Sequence, residues 1–178
     1  MTEDRTKIRS EYEAHGVAGF YERFGATYKN PHEAQIKILL ERLIPEWNLD
    51  LSNVLDLACG SGEVSSVILK AGGQVTGVDP FTFEAYRTRT RLEAERWTFE
   101  DIANGALEGR RFSLIACSFA LHLVEVSRLP TLAFQLAQVA DTLLILTPHK
   151  RPNLKQWGWK LEAEVLEARV RARLYSKV

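Results

Sequence analysis

Two short segments of the chain combine residue types that could bind a nucleoside. The first runs from Asp56 to Glu63 and places Gly60 and Gly62 in a turn between an apolar run and an amphipathic stretch. Glycines at such a turn permit tight backbone and close approach of a ligand. The second segment ends in Asp79, 19 residues after Gly60, where a carboxylate can accept hydrogen bonds from both hydroxyls of a ribose. Together the two segments predict a nucleoside site.

The spacing argues against a dinucleotide as the ligand. The dinucleotide fingerprint needs a third glycine or alanine three residues after the second glycine, and this chain has Ser65 at that position. Asp56, just ahead of the loop, would repel a pyrophosphate but suits a cationic amino group. Because a lone Gly-x-Gly turn is also common turn chemistry, the prediction depends on strand, loop, helix and Asp79 together.

The pattern around these segments predicts the elements that position them. From Asn53 onward, short apolar runs alternate with amphipathic stretches, which is typical of a parallel sheet covered by helices on both faces. The predicted strands are 54–57, 74–78, 97–99, 112–117 and 142–146, and the predicted helices are 63–70, 83–92 and 129–139. After Pro148 the pattern predicts a helix, 154–168, and a last strand from Val170. The fold class is therefore α/β with a doubly wound, mostly parallel sheet, in which ligands bind beyond the carboxyl ends of the strands.

The two ends of the chain extend the predicted fold beyond the central sheet. Residues 1–50 show helical periodicity and predict an N-terminal helical cap, so that the cap and a core, 51–178, form a single domain, 1–178. Only 28 residues follow Lys150, enough for one helix and one strand, so the last strand would lack a hairpin partner. An unpaired strand edge at 170–178 would be a template for another chain, so we expect a homodimer or a protein partner there.

Composition limits the partners and the compartment. The 178 residues include 23 basic and 23 acidic side chains, and 46% are apolar. This zero net charge argues against nucleic acid as a partner, although residues 149–178 hold eight Lys or Arg against three Glu. Cys59 and Cys117 are too few for a disulfide framework, no apolar run is long enough to span a bilayer, and no signal-peptide pattern opens the chain. We expect a cytoplasmic or nuclear protein without a membrane partner.

The segments Leu55–Gly62 and Val75–Asp79 resemble those of class I methyltransferases that use S-adenosylmethionine, and the resemblance covers roughly residues 53–150. It implies a Rossmann-like fold, S-adenosyl-L-methionine as cofactor and S-adenosyl-L-homocysteine as product. Chains of this family usually finish with a strand hairpin, and by that comparison we expect a shortened C-terminal end here. It also implies cofactor-binding residues: Asp56, Ala58, Gly60 and Gly62 at the sulfonium and amino-acid end, Asp79 with the adjoining Pro80 at the ribose, Asp101 and Ile102 at the adenine, and Ser118 with Phe119 beside the methionine portion. The family usually has glycine in place of Ala58, a mild change provided that this position needs no positive φ. Asp101 could instead cap the helix that follows it.

Methyl transfer is an in-line displacement, and a base is needed only when the acceptor must lose a proton. The candidate bases are His122 after the fourth strand, His149 after the fifth strand and Tyr21 in the cap. His122 could equally be a helix-start histidine bonded to backbone, and His149 lies in a basic loop that could simply be solvated. The four histidines show no metal-ligand spacing, so we expect no metal.

The sequence therefore predicts an S-adenosylmethionine-dependent methyltransferase that acts on an O, N or C acceptor of a small molecule or a protein. Two alternatives remain open. One is a catalytically inactive, methyltransferase-like scaffold subunit, and the other is an RNA methyltransferase that uses the basic C-terminal residues.

Overall fold

The parallel part of the predicted sheet is present in the protein. The computed structural model describes residues 30–178 and, ahead of them, positions 19 and 25. Its strands are β1 Val54–Leu57, β2 Val75–Val78, β3 Ala94–Glu95, β4 Leu114–Ser118, β5 Thr142–Thr147, β6 Trp159–Glu167 and β7 Val170–Lys177. They form a seven-stranded sheet in the order β3-β2-β1-β4-β5-β7-β6. The sheet is parallel from β3 to β5, and β7 is antiparallel to both of its neighbours. The predicted α/β fold with a mostly parallel sheet is confirmed.

Helices cover both faces of this sheet because its central strands are apolar on both sides. The helices are α1 Glu33–Glu46, α2 Glu63–Lys70, α3 Phe83–Thr90, α4 Phe99–Ala103 and α5 Leu129–Val139. On one face α1 and α2 pack through Ile36, Leu40 and Ile68, none more than 2% exposed. On the other face α5 packs through Leu132 and Leu136. Full burial of an aliphatic side chain stabilises the fold by about 1.5–3 kcal/mol.

The register of the central strands places three loops side by side. Leu57 at the end of β1 pairs with Val78 of β2 and with Cys117 of β4. Because these strands are parallel, Ala58, Asp79 and Ser118 leave the sheet at the same edge. This edge is where a doubly wound sheet binds its ligands.

The third predicted strand, 97–99, is wrong. The strand is β3, a few residues earlier, and α4 begins at Phe99. Thr98 and Asp101 form a capping box that starts the helix: the Asp101 N–H donates to Thr98 Oγ1 at 3.1 Å, and the Thr98 N–H donates to Asp101 Oδ2 at 2.8 Å. Aromatic residues at 97 and 99 resemble the alternation of a strand, but the capping box of Thr98 and Asp101 starts a helix there.

The predicted helix 154–168 is also wrong. A short 3-10 helix, Leu154–Trp157, is followed by β6, which forms an antiparallel hairpin with β7. The Lys, Leu, Glu and Ala residues of β6 favour a helix by propensity, and strand pairing overrides that preference. Since β7 pairs with β5 and β6, the shortened C-terminal end and the unpaired edge at 170–178 are wrong as well. The edge strand is β6, so the reason for expecting a dimer through the last strand is lost, and a partner remains a prediction.

The N-terminal cap is only partly described. Within the predicted cap, 1–50, the structure has helix α1, whereas the part of the cap before Asn30 lies outside the described residues apart from positions 19 and 25. The single-domain organisation stays a prediction. Within residues 30–178, no helix combines the length and the apolar character needed to cross a membrane.

Candidate active site

The loop between β1 and α2 has a left-handed backbone at three positions. Ala58, Gly60 and Gly62 have φ angles of 56°, 56° and 87°. Glycine adopts such angles freely, but an L-residue there costs about 1 kcal/mol or more. Ala58 therefore does occupy a position that needs a positive φ. Alanine in place of the family's glycine is not a mild change at this position. The strain lies in the loop that the sequence assigns to the ligand.

Asp79 connects this loop to the loop after β2. Its Oδ2 accepts a hydrogen bond from the Gly60 N–H at 3.1 Å, and its Oδ1 accepts from the N–H groups of Phe81 and Thr82 at 2.9 and 3.0 Å. The Thr82 hydroxyl in turn donates to the Gly60 carbonyl at 2.7 Å. A carboxylate offers about four acceptor positions, so roughly one remains for a ligand hydroxyl rather than the two that the sequence suggested.

A cavity of 460 Å³ opens beyond the carboxyl ends of β1, β2 and β4. Pockets for small molecules are typically about 300–1,000 Å³ and mostly apolar. Seven of the predicted cofactor residues line it: Ala58, Gly60, Asp79, Pro80, Ile102, Ser118 and Phe119. Apolar walls come from the aromatic side chains of Phe81, Trp97 and Phe99 and from Leu123. The cavity has the size and the walls for a nucleoside.

The charged side chains in the lining are mostly acidic. Among the described residues, the lining contains four carboxylates, Asp79, Glu63, Glu100 and Glu125, and one guanidinium, Arg128. Arg128 and Glu100 form an ion pair of 2.7 Å between the start of α5 and α4, and both side chains are at least half exposed. This charge favours a cationic ligand over an anionic one.

Three predicted cofactor residues lie outside the lining of the cavity. Gly62 precedes α2, and a Cβ there would come within 2.7 Å of the Thr90 side chain. Asp101 accepts the Thr98 hydroxyl at 2.6 Å, and this bond and the Thr98 N–H bond lower the pKa of its carboxyl. This is the capping role that the sequence left as the alternative, while contact with an adenine remains a prediction.

Asp56 is the third of these residues and is fully buried behind the loop. Its Oδ2 accepts hydrogen bonds from the Ser65 N–H at 3.0 Å and from the Ser65 hydroxyl at 2.6 Å. Its Oδ1 is buried and has no hydrogen-bond partner among the described residues. Burial, together with the nearby carboxylates of Glu63 and Asp79, raises the pKa of Asp56 to about 7.

Glu63 is a lining residue that sequence reasoning missed. Its side chain is 4% exposed and accepts hydrogen bonds from the Ser61 hydroxyl and, at 3.3 Å, from the Asn30 N–H. Arg89 of α3 lies 3.8 Å from it and also binds Glu33 of α1 through two nitrogens. An acid in the first turn of a helix is expected for its dipole alone, so nothing in the sequence marked Glu63 as part of the site. Trp97 and Phe99 were missed because they were assigned to a strand.

The two histidine candidates lie together at the carboxyl ends of β4 and β5 but outside the cavity lining. The rings of His122 and His149 are 4.3 Å apart, centre to centre. His122 is partly buried, and its Nδ1 has no hydrogen-bond partner among the described residues. Burial, and to a lesser extent His149, lowers the pKa of His122 to about 4. His149 is exposed, and its backbone N–H donates to Thr147 Oγ1 at 3.1 Å.

Two further expectations concern the cap and metals. Tyr21 lies outside the described residues. His32, in the turn before α1, stacks on Phe119 with ring centres 4.4 Å apart, so the described end of the cap does contact the cavity wall. In the described part of the chain, no three His, Cys, Asp or Glu residues are placed to hold a metal ion.

Fold and site together define an α/β protein with a nucleoside-sized, acidic cavity at the carboxyl edge of its sheet. A family model described as a methyltransferase domain matches residues 54–142. An uncharacterised protein of Schizosaccharomyces pombe is 34% identical over 196 aligned positions, which cover 85% of this chain and 79% of that protein. The chain belongs to the methyltransferase domain family.

Solved structures share the fold. Magnesium protoporphyrin IX methyltransferase from Synechocystis, solved with S-adenosylmethionine, has a TM-score of 0.65 at 17% identity, over 98% of this chain and 97% of that one. The N-methyltransferase NodS from Bradyrhizobium japonicum, solved with S-adenosylhomocysteine, has a TM-score of 0.64 at 18% identity, over 88% and 96%. At these identities the likeness shows the class I methyltransferase fold. Family and fold confirm the predicted enzyme class, an S-adenosylmethionine-dependent methyltransferase.

Proposed function

We propose that this enzyme transfers a methyl group from S-adenosylmethionine to an oxygen, nitrogen or carbon atom of a small molecule or a protein side chain. The observation that carries the proposal is the acidic cavity at the carboxyl ends of β1, β2 and β4. Seven residues that the sequence assigned to the cofactor converge on it from four separate segments of the chain.

The residues present fit this cofactor. Asp79 keeps about one free acceptor position for a ribose hydroxyl. The hydrogen bonds that it already accepts connect the loop after β1 to the loop after β2. Ile102 and Phe99 would pack on the adenine. The acidic lining would attract a ligand that carries a sulfonium and an ammonium group. When bound, S-adenosylmethionine supplies a methyl group on a positively charged sulfur, which makes the sulfur a good leaving group.

The protein's own contribution is alignment and the exclusion of water. Phe119 has a positive φ of 54° and is stacked on His32, so its side chain has little freedom at the wall shared by the loop after β4 and the cap. A rigid wall holds the acceptor in line with the methyl group, which is the main requirement of this displacement. Apolar side chains around the reacting atoms keep water from competing.

Proton removal, where the acceptor requires it, falls to His149 in preference to His122. The lowered pKa of His122 makes it a weak base, and its free nitrogen is buried. His149 is exposed and lies against the His122 ring, which restricts its orientation. His149 therefore combines access with a fixed position, which a general base needs.

The test is transfer of a labelled methyl group. Purified protein would be incubated with S-adenosylmethionine carrying a radioactive methyl group and with separated small-molecule and protein fractions of a cell extract. We expect label in one class of fraction with the wild type, and loss of that label with Asp79→Ala. Asp141→Ala, at an exposed aspartate where β5 is about to begin, is the matched control and should behave as wild type. Cofactor binding without any transfer would overturn the proposal in favour of a scaffold.

A further inference from the structure

Three carboxylates are buried around the loop that follows β1. Asp56 is 0% exposed, Glu63 is 4% exposed and Asp79 is 8% exposed. Glu63 and Asp79 are engaged by donors from the surrounding loops, whereas Asp56 has one oxygen, Oδ1, that is buried and without a partner. A buried polar atom without a partner is unusual and requires a physical explanation.

The groups that face Asp56 come from every element packed against it. The carboxylates are Glu63 on α2 and Asp79 after β2, and the thiols are Cys59 in the loop and Cys117 on β4. On α3, the Tyr86 hydroxyl lies 3.0 Å from the Ser65 hydroxyl, which donates to Asp56. Among the described residues, no lysine, arginine or histidine lies within ion-pair distance of the Asp56 carboxylate.

This environment makes the charge of Asp56 easy to change. Desolvation and like charges favour the protonated form and bring the pKa of Asp56 to about 7. Since both hydrogen bonds to the carboxylate end on Oδ2, a proton on Oδ1 leaves them intact. Asp56 can therefore gain or lose a proton without rearranging the loop. The cavity adjoins Asp56, because the next two residues of the chain, Leu57 and Ala58, belong to its lining. A cation in this cavity would favour the ionised form of Asp56.

We propose that Asp56 is a positioning residue that holds a proton in the ligand-free protein and releases it to solvent when the cationic cofactor binds. The O–H bond at Oδ1 breaks, the electron pair stays on the carboxylate, and the new negative charge lies behind the loop that borders the cavity. S-adenosylmethionine carries one positive charge more than S-adenosylhomocysteine. The site therefore prefers cofactor over product increasingly as the pH rises. This inference rests on the proposed function, because it requires both ligands to bind in this cavity.

The test is calorimetric titration of both ligands into the whole protein between about pH 6 and about pH 8, the range that brackets the Asp56 titration. For the wild type we expect the ratio of the two dissociation constants, product over cofactor, to rise about tenfold across this range, a typical coupling between two sites. Titrations near pH 7 in buffers of different ionisation enthalpy should show net release of a fraction of one proton per cofactor bound.

Two variants separate this effect from a structural role. Asp56→Asn keeps the shape of the side chain but cannot titrate, so its ratio should be independent of pH and its proton release should vanish. Tyr86→Phe removes the hydroxyl next to Ser65 but keeps the carboxyl, so its pH dependence should persist and move to higher pH. Circular dichroism would confirm that both variants are folded.

The outcomes are distinguishable. A wild-type ratio that is constant with pH, or a slope that survives in Asp56→Asn, overturns the inference while leaving the proposed function intact. If Asp56→Asn does not fold, the proton release of the wild type alone decides: its absence overturns the inference. Failure of both ligands to bind at any pH overturns the proposed function and, with it, this inference.

Discussion

Buried charged side chains have different hydrogen-bond partners at two regions of the sheet, the cavity end beyond β1, β2 and β4 and the hairpin end formed by β6 and β7. At the cavity end, Asp79 retains about one free acceptor position and Asp56 has an oxygen with no partner in the described chain. At the hairpin end, Arg173 of β7 is 7% exposed, and each of its three nitrogens donates, to Glu164 at 2.6 Å and to the carbonyls of Pro152 and Lys150 at 3.0 and 2.9 Å. A buried charged side chain with an unused hydrogen-bonding position marks the place for a ligand. A buried charged side chain whose hydrogen-bonding groups are all engaged stabilises the fold.

The largest effect should come from the hairpin end. Arg173→Leu removes the donors that fix the loop after β5 and leaves two backbone carbonyls and Glu164 without them. We expect the free energy of unfolding to fall by about 3 kcal/mol, measured by urea denaturation, since breaking a buried charged network has this order of cost. Affinity for S-adenosylhomocysteine should be unchanged. The neighbouring Arg171→Leu, which loses a single ion pair with Glu164, is the control and should cost about 1 kcal/mol or less.

At the cavity end we expect a loss of ligand affinity in place of the loss of stability expected at the hairpin end. Asp79→Ala removes the acceptor shared by Gly60, Phe81 and Thr82 and the position left for the ribose. Affinity for S-adenosylhomocysteine should fall about a hundredfold, measured by calorimetry, because each hydrogen bond to a charged group contributes about 1.5–3 kcal/mol. Equal losses of affinity in Asp79→Ala and Arg173→Leu would erase the distinction between the two ends.

The titration of Asp56 should appear in the stability of the ligand-free protein. Its folded pKa of about 7 lies above the value of 3.8 expected when unfolded, so the folded state binds more protons between these values and this carboxyl destabilises the fold as the pH rises through them. Asp56→Asn should therefore have a higher free energy of unfolding than wild type at pH 8, with little difference at pH 4. A variant that is less stable at pH 8 would show that the Asp56 charge stabilises the fold.

The smallest effect concerns backbone strain, which both ends contain. Arg169, in the turn between β6 and β7, has a φ of 67°, and Ala58, in the cavity loop, has a φ of 56°. Arg169→Gly and Ala58→Gly should each raise the free energy of unfolding by about 1 kcal/mol, measured by thermal or urea denaturation. Arg91→Gly, after α3 with a φ of 65°, serves as a reference outside both regions. A destabilised Arg169→Gly would show that its side chain, rather than its backbone, matters.

The sequence predicted the cavity end much better than the hairpin end. β1, α2 and α5 were predicted residue for residue, because their apolar patterns, together with the glycines near β1 and α2, specify them locally. The hairpin was missed because β6 is rich in helix-forming residues and because its turn, Ala168–Arg169, adopts positive φ without the Gly or Asn that would signal it. Strand pairing, a long-range interaction, decides that structure.

The residues of the site also divide into those that local sequence predicts and those that long-range packing decides. Gly60 and Asp79 were predictable because a loop and a strand end display them at fixed spacing. The proximity of Arg128 to Glu100, and of Asn30 to Glu63, depends on packing between elements distant in sequence. The buried side of Asp56 was likewise hidden, since no local pattern shows that one of its oxygens lacks a partner.

The central claim is that the cofactor binds in the acidic cavity and leaves the hairpin untouched. The most direct measurement is two-dimensional NMR of the isotope-labelled protein during titration with S-adenosylhomocysteine. The amide signals of Gly60, Asp79, Ile102 and Phe119 should shift with a common dissociation constant, and those of Ala168 and Arg169 should stay in place. Shifts concentrated in the hairpin, or no shifts at saturating ligand, would contradict the account.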